Sequence, residues 1–195
     1  MTPGIANAFK VGYEEYLIGG QPDKVTIEEV VREKKIFSDQ YGETDSLPVP
    51  AFIPFATLFA REHMEETMVR WIQNICNLQS PILITLNNYC GIPPHTIYWR
   101  IQEPQPIIQL GLRMKILDVF SESNDCPPIQ LIKKPNLILA EGLSEVVYRS
   151  AISEYAQKTF HSSFRIERLM LIKKDWNVKR GRLVNTFNFP PGLSI

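Results

Sequence analysis

The chain has 195 residues, 44% hydrophobic and 22% charged, the balance of one soluble globular domain with its own core. Lys plus Arg and Asp plus Glu both number 21, and the zero net charge speaks against bulk electrostatic binding to nucleic acid or an anionic membrane, a local patch aside. The three cysteines, Cys76, Cys90 and Cys126, are odd in number and form no close pair; they outline neither a disulfide nor a zinc framework and fit a reducing, cytoplasmic compartment. MTPGIANAFK lacks the basic head and apolar core of a secretory signal, and no apolar run reaches the length of a membrane span.

In chain order, VGYEEYLIGG reads as a first strand ending at Gly19–Gly20. PDKVTIEEVVREKKIFSDQYG reads as a helix with Ile27, Val30, Val31, Phe37 and Tyr41 on one face and Gly42 as its C-cap. ETDSLPVP is a loop, AFIPFATLFARE a strand, and EHMEETMVRWIQNIC a helix carrying Met64, Met68, Trp71, Ile72 and Ile75 at helical spacing. PILITLNNY and HTIYWRIQ are strands joined by CGIPP. PQPIIQLGLRMKILDVFSES reads as one helix, and NDCPPIQLIKK as a loop or short edge strand. PNLILAEG is a strand, and SEVVYRSAISEYAQKTF a helix with Ser144 as N-cap and Tyr148, Ile152, Tyr155 and Thr159 on one stripe. SSFRIERLMLIKKD and GRLVNTFNF are two more strands, joined by a turn around Trp176, Asn177 and Gly181.

The order strand, helix, strand, strand occurs twice with matched spacing, approximately over 51–103 and 134–190. The expected architecture is a single bilobal α+β domain spanning 1–195. Two pseudo-symmetric lobes of antiparallel sheet would carry helices on the outside and a ligand cleft between them. Phe55 and Asn136 take equivalent places, as do Thr57 and Ile138.

Three pieces, PILITLNNYCGIPPHTIYWRI, KPNLILAEGL and FHSSFRIERLMLIKK, carry a resemblance to a known family. The chain resembles the two-histidine phosphoesterase superfamily, also called the 2′-5′ RNA ligase or cyclic phosphodiesterase family. The resemblance implies two lobes, each with a His-x-Thr or His-x-Ser motif on an inner strand. It implies opening of 2′,3′-cyclic phosphates, or action on 2′-5′ linkages, without a metal or other cofactor. The chemistry needs a base and an acid, and imidazole serves as either because it titrates near neutrality. A hydroxyl two residues along the strand shares the histidine's face and can bond the phosphate oxygens.

Placed on this chain, the first motif falls at Phe55-Ala56-Thr57 and the second at Asn136-Leu137-Ile138. Both histidine positions are replaced. Phe55 cannot move a proton and Asn136 does not titrate near neutral pH. The resemblance therefore implies a member whose hydrolysis is absent or slow. Asn136 either caps its strand or contacts a ligand, since its amide both donates and accepts.

Other residues divide between two readings. Tyr98 and Arg100 alternate with Ile97, Trp99 and Ile101, so they face the cleft beside Thr57 or lie on a solvated sheet face; there the Arg100 guanidinium could grip phosphate. His95 next to Thr96 sends its side chain to the opposite face and reads as structural. His161 forms a literal His-x-Ser with Ser163 but falls in a turn, where a solvated role is the default. His63 reads as a surface residue, and three scattered histidines make no metal site. Lys173, Lys174, Trp176, Lys179, Arg180 and Arg182 form a basic turn that either grips an RNA backbone or is a solvated hairpin tip.

Three functions follow. The first is a degenerate member binding a nucleotide, cyclic phosphate or RNA end through Thr57, Tyr98, Arg100 and Asn136. The second is an active phosphodiesterase with altered acid and base groups, and the third a scaffold that has lost its ligand. Neither a membrane partner nor an oligomeric state is indicated.

Overall fold

The computed structural model describes residues 12–42, 51–175 and 180–190. Within them the strands are β1 (Glu14–Gly20), β2 (Ile53–Ala60), β3 (Ile82–Ile92), β4 (Thr96–Ile101), β5 (Gln130–Leu131), β6 (Leu137–Ala140), β7 (His161–Ile166), β8 (Arg168–Asp175) and β9 (Arg180–Asn188). The α-helices are α1 (Lys24–Tyr41), α2 (Glu65–Cys76), α3 (Gln105–Met114), α4 (Leu117–Ser123) and α5 (Glu145–Tyr155), and a 3₁₀ turn, Glu62–Met64, leads into α2. The loop ETDSLPVP lies outside the described residues, as do Trp176, Asn177 and Lys179 of the basic turn.

Two antiparallel sheets form. Sheet A has five strands in the order β5-β2-β1-β8-β9, and sheet B has four in the order β6-β4-β3-β7. This is the expected α+β architecture of two sheets with helices. The two repeated segments do not each build one sheet. The first sends β2 to sheet A and β3 and β4 to sheet B, and the second sends β6 and β7 to sheet B and β8 and β9 to sheet A. The strand expected over SSFRIERLMLIKKD is therefore two strands. The chain leaves sheet B after Ile166, crosses at Glu167, and enters sheet A at Arg168; the Glu167 carbonyl meanwhile accepts from Phe189 N at 2.8 Å.

Helices α2, α3 and α4 cover the Tyr16 face of sheet A. The Tyr16 hydroxyl donates to Glu65 Oε1 on α2 at 3.0 Å, and Arg182 of β9 donates to the same carboxylate at 2.6 and 2.9 Å. Burial first, and then Glu65, push the Tyr16 hydroxyl far above its ordinary value, so it stays a donor. Helices α1 and α5 cover the Trp99 face of sheet B. Tyr89 meets Tyr155 edge-on with ring centroids 4.9 Å apart, and the Thr26 and Ser162 hydroxyls lie 3.1 Å apart.

The helix starts follow their caps. Asp23 accepts from Thr26 N at 2.9 Å, and Ser144 Oγ accepts from Val147 N at 3.3 Å. At the end of α1, Gly42 adopts φ 92° and returns its N–H to the Ser38 carbonyl, a conformation that favours glycine. Val31 does not join the apolar face of α1: it is 42% exposed, because adjacent helical residues point about 100° apart and Val30 holds the buried position. The helix expected over 104–123 is two helices. Lys115 N and Ile116 N bond to carbonyls only three residues back, which tightens the chain between α3 and α4 and re-aims it so that Leu117 and Phe120 are buried as well.

Candidate functional site

The two strands expected to carry the motifs approach each other: β2, in sheet A, makes contacts with β6, in sheet B. On β2 the pairing with β1 skips one residue. Ile18 faces Ala56 and Gly19 faces Pro54, which leaves Phe55 as the extra residue of a β-bulge. Its ring is 2% exposed and packs against Gly111 of α3, near Leu131, while its carbonyl accepts from Ile132 N at 2.8 Å. The residue expected at the first histidine position is thus part of the core. Thr57 is half-buried on β2, opposite Leu17 of β1 and Gln130 of β5.

Leu17 belongs to a small apolar cluster of its own, with Phe52, Met170 and Ile172. These residues lie on the face of sheet A opposite to Tyr16, because Leu17 pairs with Ile172 and Gly19 with Met170. The Phe52 ring lies over Gly19 so closely that a Cβ there would sit 2.5 Å from Phe52 Cζ. Sequence reasoning did not pick out this cluster. Its signal was present in the unbroken apolar run of RLMLIKK, which supplies apolar side chains to both faces of the strand, but its meaning depended on which strand lay alongside.

Asn136 stands just before β6, half-buried, and its amide donates to the Lys134 carbonyl at 3.4 Å. Ile138 follows on β6, directly opposite Tyr98 of β4. On β4 the expected alternation holds: Ile97, Trp99 and Ile101 are buried, Tyr98 is half-buried and Arg100 is exposed. Tyr98 in turn faces Cys90 of β3. Burial raises the Tyr98 hydroxyl above its ordinary value, and the Cys90 thiol adds to the rise. Tyr98, Arg100 and Ile138 therefore share the open face of sheet B, with Asn136 at its margin. Thr57 stands on the other sheet.

The histidines fall as follows. His95 lies in the turn before β4, where its Nδ1 is 2.9 Å from the Leu143 carbonyl and its own carbonyl accepts from Leu143 N, a structural tie to the start of α5. His161 is the first residue of β7, exposed and paired with Asn87, and so does not lie in a turn. Two residues on, Ser163 Oγ is 3.0 Å from Thr85 Oγ. His63 is exposed in the 3₁₀ turn. Among the described residues no group of three or more His, Cys, Asp or Glu side chains is placed to hold a metal, and no helix is long and apolar enough to cross a membrane.

Three cations of the basic turn, Lys173, Lys174 and Arg182, are occupied. Lys173 pairs with Glu14 at 3.4 Å and Glu62 at 3.0 Å, Lys174 with Glu15 at 3.2 Å, and Arg182 with Glu65. Burial works against the Lys173 charge, but the carboxylates Glu62 and Glu14 outweigh it and raise its pKa. These partners hold the cations to sheet A and α2.

A groove of about 590 Å³ opens between α2 and α3, lined by Trp71, Asn74, Ile75, Leu78, Arg113 and Ile116. It lies on the helix-covered side of sheet A, on the face opposite to Leu17. The motif strands, and not this groove, locate the candidate site.

Comparison with solved structures agrees with this architecture. The crystal structure of TT0787 of Thermus thermophilus superposes with a TM-score of 0.64 at 13% identity, covering 91% of this chain and 99% of the other. The chain has the LigT fold. Crystalline E. coli LigT in complex with 3′-AMP superposes at TM-score 0.62 and 11% identity, covering 91% and 98% of the two chains. A further structure described as a phosphoesterase gives 0.57 at 12% identity over 90% and 98%. No family model matches the sequence, and no curated protein matches it. The likeness to LigT is one of fold, as the resemblance to two-histidine phosphoesterases implied.

Proposed function

We propose that this chain is a 2′-5′ RNA ligase-like, cyclic-phosphodiesterase-like protein with impaired hydrolytic chemistry. It binds a nucleotide, cyclic phosphate or RNA end through Thr57, Tyr98, Arg100 and Asn136. The carrying observation is the state of the two motif positions. Phe55 is a core residue in a bulge, and the Asn136 amide is turned to the Lys134 carbonyl. Neither offers a group that exchanges protons near pH 7. The ligand class is carried over from the fold: LigT has been crystallised with phosphate, with 3′-AMP and with NADP+. Tyr98 and Arg100 support it, being polar and half-buried or exposed on the sheet that holds β6.

The apolar cluster of Leu17, Phe52, Met170 and Ile172 favours a second reading, a scaffold without a ligand. A phosphorus NMR time course of the protein with 2′,3′-cyclic AMP separates the cases. A shifted or broadened cyclic resonance with no product supports binding without turnover. New monoester resonances sink the impaired-chemistry reading, and an unchanged spectrum at millimolar nucleotide favours the scaffold.

A further inference from the structure

The geometry points to a phosphate-binding site on the open face of sheet B, at the bulge of β3, formed by Arg100, Asn87, His161, Ser163 and Thr85. It deepens the functional reading above, on which it rests for its ligand class, and it shares Arg100 with that reading.

The argument starts from register. On the β7 side of β3, Asn87 pairs with His161 and Thr85 with Ser163, so these four side chains share one face of the sheet. That face is the open one: the intervening Ile84, Leu86, Phe164 and Ile166 are buried in the core. On the β4 side, Leu86 faces Ile101 and Tyr89 faces Trp99, which leaves Asn87 and Asn88 as a bulge opposite Arg100. Arg100 and His161 therefore flank the same point of β3 from the two neighbouring strands, on the same side as Tyr98. Two strand spacings separate them, about 10 Å, and the reach of an arginine brings its guanidinium within contact of a phosphate-sized anion lying over Asn87.

The bulge is locked in place. Asn88 takes a left-handed conformation at φ 56°, rare for a residue other than glycine. It exchanges two hydrogen bonds with Phe160, donating its N–H to the Phe160 carbonyl at 2.8 Å and accepting from Phe160 N at its Oδ1 at 3.1 Å. This clamp fixes the backbone immediately before His161. Bulges of this kind re-aim side chains and recur beside binding sites.

The donors suit an anion. Arg100 is exposed, and among the described residues no carboxylate stands within ion-pair distance of it. One of the Thr85 and Ser163 hydroxyls donates to the other at 3.0 Å, which leaves the second O–H free to turn outward, and the Asn87 amide and His161 ring add N–H donors. Charge-assisted bonds from guanidinium to phosphate are the strong ones in such a set.

The test is a titration of the ¹³C,¹⁵N-labelled full chain with inorganic phosphate, then with 2′,3′-cyclic AMP, following the His161 ring and the Arg100 side chain. The expected result is a saturable shift of both signals. Arg100→Ala, and His161→Ala combined with Ser163→Ala, should each weaken binding by about tenfold or more, with an unchanged melting curve because these side chains are exposed. A response to both probes supports a phosphate-ester ligand. A response to phosphate alone supports the site and overturns the nucleotide reading. If the nucleotide moves Asn136 and Thr57 but leaves His161 still, the inference is overturned while that reading stands. If neither probe moves any signal, both fall.

Discussion

Placing histidines at both proposed motif positions should not produce hydrolysis. The substitutions that the proposed reading calls for are Phe55→His and Asn136→His. Here the β2 bulge turns position 55 toward Gly111 of α3, and its side chain is 2% exposed. An imidazole there is smaller than the phenyl ring, so part of the cost of emptying a buried Phe site applies, on the scale of about 3–5 kcal/mol for Phe→Ala. The buried ring nitrogens also lose water without gaining partners, at about 1–3 kcal/mol for each group left unsatisfied. A total near 3–5 kcal/mol is reasonable, since the two effects trade against each other as the ring fills more of the space. With about 2–4 °C of melting temperature per kcal/mol for a chain of this size, Phe55→His should melt about 6–20 °C below the parent. Thermal denaturation followed by circular dichroism reads the stability, and the phosphorus NMR assay reads the chemistry. The reasoning is refuted if Phe55→His melts within about 3 °C of the parent, or if the double variant hydrolyses 2′,3′-cyclic AMP about a hundredfold faster than the parent, the lower end of what acid–base catalysis contributes.

Three further outcomes follow from the packing. Glu65→Ala strands the buried Tyr16 hydroxyl, while the half-exposed Arg182 guanidinium keeps water and Glu62, and should cost about 2 kcal/mol in urea denaturation, whereas Glu65→Gln, which keeps a hydrogen-bond acceptor, should cost less. Gly19→Ala should be among the most destabilising single changes, because the new Cβ would lie 2.4 Å from the Ile53 carbonyl oxygen and 2.5 Å from Phe52 Cζ; a melting temperature equal to that of the parent would disprove the close packing of Phe52 on β1. Glu154 accepts from the Tyr41 hydroxyl at 2.7 Å and pairs with Lys158, and these contacts, Tyr41 first, pull its carboxyl down to about 2 from an ordinary 4.5. Below 4.5 the unfolded chain binds the extra proton first, so this contribution is complete above pH 4.5 and is lost as pH falls toward 2. Glu154→Gln should therefore flatten the stability profile across that window, and a carboxyl ¹³C titration should place the Glu154 midpoint near 2 and not near 4.5.

Much of the fold was readable from local pattern. The alternation of TIYWRI put Ile97, Trp99 and Ile101 inside and Arg100 outside, and Ser144 and Gly42 marked helix ends by chemistry that needs no partner. The features that decide the site were not local. Whether Phe55 shares a face with Thr57 depends on which β1 residue stands opposite, and the pairing skips Phe55. The position of His161 depends on β7 pairing with β3, which turns an apparent turn residue into a strand residue facing Asn87. The split of SSFRIERLMLIKKD at Glu167 has the same origin: one apolar run serves two sheets, and nothing in its period says where it changes partner. The tightened turn at Lys115 and Ile116 is likewise set by what Leu117 and Phe120 must reach, and not by a helix-breaking residue.

The two sheets offer different groups to a ligand, and this ranks the proposed contacts. On sheet A Phe55 lies in the core, and Thr57 stands opposite Leu17, one member of the apolar cluster that includes Met170 and Ile172. A single neutral hydroxyl there contributes about 0.5–1.5 kcal/mol to a bound phosphate. On sheet B the proposed motif positions Asn136 and Ile138 carry no titratable group, and Tyr98 and Arg100 stand in line with them across β4. A charged donor contributes about 1.5–3 kcal/mol, so Arg100 should outweigh Thr57. In affinity for 2′,3′-cyclic AMP, Thr57→Val should lose less than about tenfold and Arg100→Ala about tenfold or more, at about 1.4 kcal/mol per decade. Equal losses would mean that sheet A still contributes its share of the ligand contacts. A larger loss for Thr57 would place the ligand against sheet A and overturn the ranking.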